Sequence, residues 1–142
     1  MSLAIPDSHL GLFQNPVHGV LTTVMPDGSP QASIIWVDYD GEHVLINTTL
    51  ERQKGRNMQA NPKVTILVID PRDSSRWIEV RGQVKEITES GAEQHADKLT
   101  QRYCHPKQHF YGDIYPVEQK DKETRVVVKV EPIKMSLDAI FR

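Results

Sequence analysis

Arg76-Trp77-Ile78-Glu79-Val80-Arg81-Gly82-Gln83-Val84-Lys85 is the most regularly alternating stretch of this sequence. Ile78, Val80, Gly82 and Val84 fall on one side of an extended chain, and Glu79, Arg81, Gln83 and Lys85 on the other. One apolar and one charged face make a half-buried strand, the pattern of an antiparallel sheet packed on one side.

Working outward, turn chemistry organises the flanks into hairpins. Gly19 to Met25 and Gln31 to Tyr39 read as strands joined by Pro26-Asp27-Gly28-Ser29-Pro30, where proline presets one dihedral and glycine accepts positive φ. Asp40-Gly41 then leads into a strand over His43 to Thr48. Val64 to Ile69 is apolar except at Thr65, which predicts a strand covered on both faces. Thr124 to Val130 closes the series, with Val126, Val128 and Val130 inward.

Three helices are expected. A short one carries Leu10 and Phe13 behind capping residues at Asp7 and Ser8, and Asn15-Pro16 ends it. A second spans Arg52 to Ala60. The third spans Ser90 to Cys104, with Ala92, Ala96, Leu99 and Tyr103 at helical spacing and a capping box from Ser90 and Glu93. Six strands and three short helices predict an α+β chain, mainly β, whose antiparallel sheet closes toward a barrel.

The chain is one domain's length at 142 residues. Its single cysteine, Cys104, cannot form an internal disulfide, and neither a secretory signal nor a membrane-length apolar run is present. A cytoplasmic location with no membrane partner is the expectation. A net charge of −2 gives no field favouring nucleic acid. Cys104, His105 and His109 offer no convincing fourth ligand, and Pro106 interrupts them, so no metal is expected. No triad or catalytic residue is identifiable.

Positive charge concentrates in Asn47-Thr48-Thr49-Leu50-Glu51-Arg52-Gln53-Lys54-Gly55-Arg56-Asn57. Cations at a helix start oppose the helix dipole, but the same placement is favourable around a bound anion. A solvated charged helix and an anion site are both open on this ground. Gln31, Ser33 and Ile35 share one strand face, as a solvent-facing edge or a ligand face would require. Trp36 fits a core position better than a ring-stacking one. His109, Tyr111 and Tyr115 belong to a long loop, either lid or surface.

The Pro26–Pro30 turn, Ile34-Ile35-Trp36-Val37-Asp38, Asp40-Gly41, the Asn47–Asn57 run, Asn61-Pro62 and Arg76 to Gly82 occur in one order and spacing. Together they resemble the pyridoxamine 5′-phosphate oxidase-like split-barrel proteins, over roughly residues 7 to 132. Within that superfamily the chain looks most like the deazaflavin reductases that use coenzyme F420. The pointers are Arg52-x-Lys54-x-Arg56-Asn57 and Arg76-Trp77-x-Glu79-Val80-Arg81-Gly82.

The resemblance implies a homodimer of split barrels with a cofactor in each interface groove. Arg52 and Lys54 would grip the cofactor phosphate, with Arg56 as helper, and Asn47 and Thr48 would lie beside that tail. Gln31, Ser33 and Ile35 would face the tricyclic ring. Trp77, where the flavin oxidases usually have glutamine, would either cover the cofactor from the second subunit or pack in the interface. The oxidases' additional basic C-terminal pattern is not recognisable, which argues against vitamin B6 oxidation. The implied activity is hydride transfer from reduced F420 to a small electron-poor acceptor; the alternatives are an FMN oxidoreductase and a non-catalytic carrier.

Overall fold

A computed structural model describes residues 3–138. Its elements are α1 (Asp7–Gln14), β1 (Gly19–Val24), β2 (Pro30–Ile35), β3 (Asp38–Tyr39), β4 (Val44–Thr49), α2 (Gln53–Ala60), β5 (Lys63–Ile69), β6 (Trp77–Thr88), α3 (Ala92–Tyr103) and β7 (Arg125–Leu137). The strands form one antiparallel sheet in the order β2-β1-β5-β6-β7-β4-β3. β2 and β3 are opposite edges, yet only Trp36 and Val37 join them. So short a link forces the sheet to curl into a half-barrel that brings its edges together.

The sheet therefore has seven strands, not the six expected, because the run from Gln31 to Tyr39 is two strands. The break has a hydrogen-bonding cause. Val37 N–H donates to the Tyr103 hydroxyl at 3.0 Å, and the Val37 carbonyl accepts from Tyr103 at 3.1 Å and from Arg102 at 3.4 Å. Side chains of α3 thus satisfy the backbone where the chain changes edges.

Leu21, Ile46, Ile66, Ile78, Val80, Val126 and Val128 are fully buried inside the curl. β5 departs from its expected coverage on both faces. Val64, Ile66 and Val68 point inward, but Thr65 and Leu67 are only half-buried and Ile69 is 41% exposed. Ile34, paired with Val20, is 70% exposed on the same outer side. β7 runs on to Leu137, well past Val130. It passes Pro132, which cannot donate to a ladder, at a register shift opposite Gly82. A Cβ on Gly82 would lie 2.6 Å from the Glu131 carbonyl oxygen, so the close approach needs glycine.

α1 buries Leu12, Phe13 and His9, leaving Leu10 half-buried. No side chain caps its start; Ser8 Oγ instead lies 2.8 Å from His9 Nδ1. In α3 the expected capping box does not form either. Gly91 occupies the cap position with φ of 74°, Ser90 N–H donates to Thr88 Oγ1, and Glu93 pairs with Lys120 at 2.9 Å. Ala92, Ala96 and Leu99 are buried as the expected stripe requires, Thr100 is buried beside them, and Tyr103 is half-buried.

Candidate functional site

A groove of about 290 Å³ opens where the β2–β3 link, the end of β4 and the start of α2 meet. Ile35, Trp36, Thr48, Arg52, Lys54 and Tyr115 are among its walls. Close packing puts α2 there: a Cβ on Gly55 would run into the Thr49 carbonyl oxygen, so only glycine lets the helix start seat on the strand end.

The α2 N-terminus has Arg52 at its cap, no side-chain cap hydrogen bond and no acidic residue in its first turn. Its first N–H groups have no intrahelical acceptor. Arg52 is exposed and Lys54 half-buried. Burial, and then the charge of Arg52, push the Lys54 ammonium below its ordinary range. A bound anion would relieve both effects. Thr48, 3% exposed, holds a buried hydroxyl with no hydrogen-bond partner. Two cations, free backbone donors and an unpartnered hydroxyl form a donor set suited to a phosphate.

Of the residues singled out in the sequence, Ile35, Asn47, Thr48, Arg52 and Lys54 come together on this groove. Ser33 shares the face of Ile35, and its buried hydroxyl also lacks a partner. Gln31, farther along β2, accepts from Thr23 at 3.3 Å. Arg56 turns away: it donates to the Glu51 carbonyl and to Gln53 at 2.6 Å, and lines a separate depression with Met25 and Pro26. Trp77 stands opposite Ile69 on the outer face of the sheet, away from its own chain's groove. Trp36 lines the groove while stacking on Tyr103, with ring centres 5.3 Å apart and planes 12° from parallel.

Sequence reasoning missed His18, Phe110 and Ile114, and placed Tyr115 only in a loop. That loop is anchored from beneath. Arg125 and Glu123, with side chains 8% and 7% exposed, pair at 3.0 Å. Tyr111 donates to Glu123 at 2.6 Å, and the Arg125 guanidinium lies 4.3 Å from the Phe110 ring centre. Burial would raise the Glu123 carboxyl, but hydrogen bonds from Tyr111, Gln119 and Arg125 prevail and lower it. The glycine, proline and aromatic content of this segment was the only available signal. The partnership with Arg125 is set by tertiary packing.

On the opposite flank Asp38 is buried among His95, Lys98 and Arg102, each at 3.0 Å. Burial alone would raise its carboxyl. Hydrogen bonds from His95, Lys98 and the Tyr39 N–H, with the Arg102 charge, instead hold it well below the usual carboxylate range. Among the described residues, no group of three or more His, Cys, Asp or Glu side chains is placed to hold a metal ion. No helix there is long and apolar enough to cross a membrane.

Residues 5–137 match the family described as pyridoxamine 5′-phosphate oxidase. A pyridoxine/pyridoxamine 5′-phosphate oxidase of Rhodopseudomonas palustris strain BisB5 is 31% identical over 88 residues, 61% of this chain and 41% of that protein. One from Bradyrhizobium diazoefficiens is 32% identical over 74 residues, 51% of this chain and 34% of that protein. The chain thus spans well under half the length of these curated relatives. A solved F420 reductase superposes with a TM-score of 0.79 at 37% identity, covering 93% of this chain and 98% of that one. HutZ, the heme storage protein of Vibrio cholerae, superposes at 0.65 with 16% identity, a likeness of fold alone. Curled antiparallel sheet, groove and sequence match agree: the chain belongs to the pyridoxamine 5′-phosphate oxidase family.

Proposed function

We propose that this protein is an oxidoreductase that transfers a hydride from reduced coenzyme F420 to a small electron-poor organic acceptor. The observation that carries this reading is the uncapped start of α2, where Arg52, Lys54 and Thr48, whose buried hydroxyl has no partner, line one groove. The F420 reductase that is 37% identical over nearly the whole chain supports the choice of cofactor.

Arg52 and Lys54 would hold the phosphate, with the first-turn N–H groups of α2 and the Thr48 hydroxyl completing its shell. Asn47 lies beside them, and Ile35, Trp36 and Phe110 give the groove an apolar wall that excludes water. When bound, the deazaflavin supplies a hydride from its C5 carbon, so no protein nucleophile is needed. The protein's part is to orient, to keep water out and to neutralise charge. No side chain is assigned as proton donor.

The chain is proposed to work as a homodimer. Ile34, Val20 and Leu67 lie side by side in register across the outer sheet face, with Ile69 and Trp77 further along it. Ile34 at 70% and Ile69 at 41% exposure give that face reason to be covered by a second copy. Ring-side contacts from Gln31 and Ser33, and from Trp77 of the second copy, belong to the same proposal.

FMN is the second reading, and one observation favours it. FMN ends at its phosphate, whereas the deazaflavin tail continues into further carboxylates. Arg56, which would have extended the positive charge along α2, does not line the groove.

Turnover separates an enzyme from a carrier. Reduced F420 should be oxidised by the protein when a quinone or an unsaturated ketone is supplied. Tight binding without oxidation by any such acceptor would leave only a carrier.

A further inference from the structure

Asn47 is held from three sides. Its Nδ2 donates to the Ala92 carbonyl at 2.9 Å and lies 3.1 Å from His95 Nδ1, while its Oδ1 accepts from Arg125 at 2.8 Å. Both amide hydrogens are thereby engaged, and one lone pair on Oδ1 is left. His95 Nδ1 must accept in this arrangement, so its hydrogen sits on Nε2, which donates to Asp38 Oδ2 at 3.0 Å. His95 is largely buried, its side chain 10% exposed. A second proton on it would set an N–H against the Asn47 amide N–H at about hydrogen-bond distance.

We propose that His95 is a positioning residue: its neutral form locks the Asn47 amide with only its oxygen free for a ligand donor, so groove binding weakens in acid. The ligand group matched to that oxygen is an N–H or a hydroxyl, such as one on a sugar-alcohol chain beside the phosphate.

The charged groups around His95 are Asp38 of β3, at 3.0 Å from its Nε2, Lys98 and Arg102 of α3, which share Asp38, and Arg125 of β7, which holds the far side of Asn47.

This inference rests on the proposed cofactor groove, and its test separates the two. Affinities for F420 and for FMN are measured by calorimetry from about pH 5 to about pH 8, on the wild type and on His95→Gln. Gln can accept from Asn47 without titrating. Ionisations of each cofactor act on both proteins alike, so the ratio of their dissociation constants isolates His95. The wild type should lose about threefold or more relative to His95→Gln between the basic and acidic ends, the loss of roughly one hydrogen bond. A ratio that stays constant with pH overturns the inference.

Imidazole nitrogen NMR on the cofactor-free wild type gives a second reading that does not depend on any ligand. It should report the Nε2–H tautomer at the basic end, and the Asn47 side-chain amide signals should follow the His95 titration. An Nδ1–H tautomer, or Asn47 signals indifferent to that titration, would overturn it. Failure of both cofactors to bind at every pH, with the NMR as expected, would overturn the function but leave the His95–Asn47 lock in place.

Discussion

The Arg52 guanidinium donates to the Tyr115 hydroxyl and lies over the same ring, 5.4 Å from its centre. The residue best placed to hold an anion is thus already engaged by a side chain from the loop across the groove. Tyr115→Phe keeps the ring and removes the acceptor. Phosphate-bearing ligands should then bind about 2–10-fold more tightly by calorimetry, since Arg52 no longer exchanges one partner for another. Weaker binding would show that the hydroxyl touches the ligand itself.

Arg52→Ala combined with Lys54→Ala should lower cofactor affinity by at least about tenfold, because each charge-assisted contact contributes roughly 1.5–3 kcal/mol. The melting temperature should change little, since Arg52 is exposed and neither residue is part of the core. Salt dependence of binding should flatten with it. Arg56→Ala, by contrast, should retain the parental salt dependence, because Arg56 points to Glu51 and Gln53. Unchanged affinity in the double variant would reject the phosphate site.

Asp38 ties the edge strand β3 to α3, and its removal should be costly. Asp38→Ala leaves Arg102, 16% exposed, without its carboxylate, while the more exposed Lys98 stays solvated. The lower end of the range for a broken buried pair, about 3 kcal/mol, is expected in urea unfolding. The sign with pH follows from the direction of the shift. The folded carboxyl titrates below its unfolded value of about 3.9. Its contribution is therefore complete above about pH 4 and declines as pH falls toward the folded value. Asp38→Asn should lose less stability than the wild type over that acid range. Parallel profiles would remove Asp38 as the source.

Homodimerisation predicts a measurable partner for the outer face. Sedimentation should give a dimer at micromolar concentration, and Ile34→Asp should shift it toward monomer by setting a charge on the most exposed residue of the apolar row. A wild type that remains monomeric would remove the second-copy role of Trp77.

Much of this was legible in the sequence wherever local chemistry decides. The alternation in β6, the Pro26–Pro30 turn and the α3 stripe each depend on neighbours a few residues away. The crowding of cations at the start of α2 pointed to the groove for the same reason. What escaped was set across the chain. The seventh strand exists because Tyr103 and Arg102 take over the Val37 backbone from more than sixty residues away. The capping box failed because Gly91 supplies a left-handed turn and Glu93 prefers Lys120. Arg56, expected as a helper at the phosphate, lies instead beside Met25 and Pro26, because the helix is seated by Gly55 on Thr49.

The most direct test of the central claim is titration of the cofactor-free protein with F420 and with FMN, at low and high ionic strength. The account predicts that F420 binds more tightly than FMN, that both affinities fall with salt, and that the Arg52→Ala, Lys54→Ala pair abolishes most of the affinity for F420. Tighter binding of FMN under every condition would contradict the choice of deazaflavin. Binding of either cofactor that is indifferent to Arg52 and Lys54 would contradict the site.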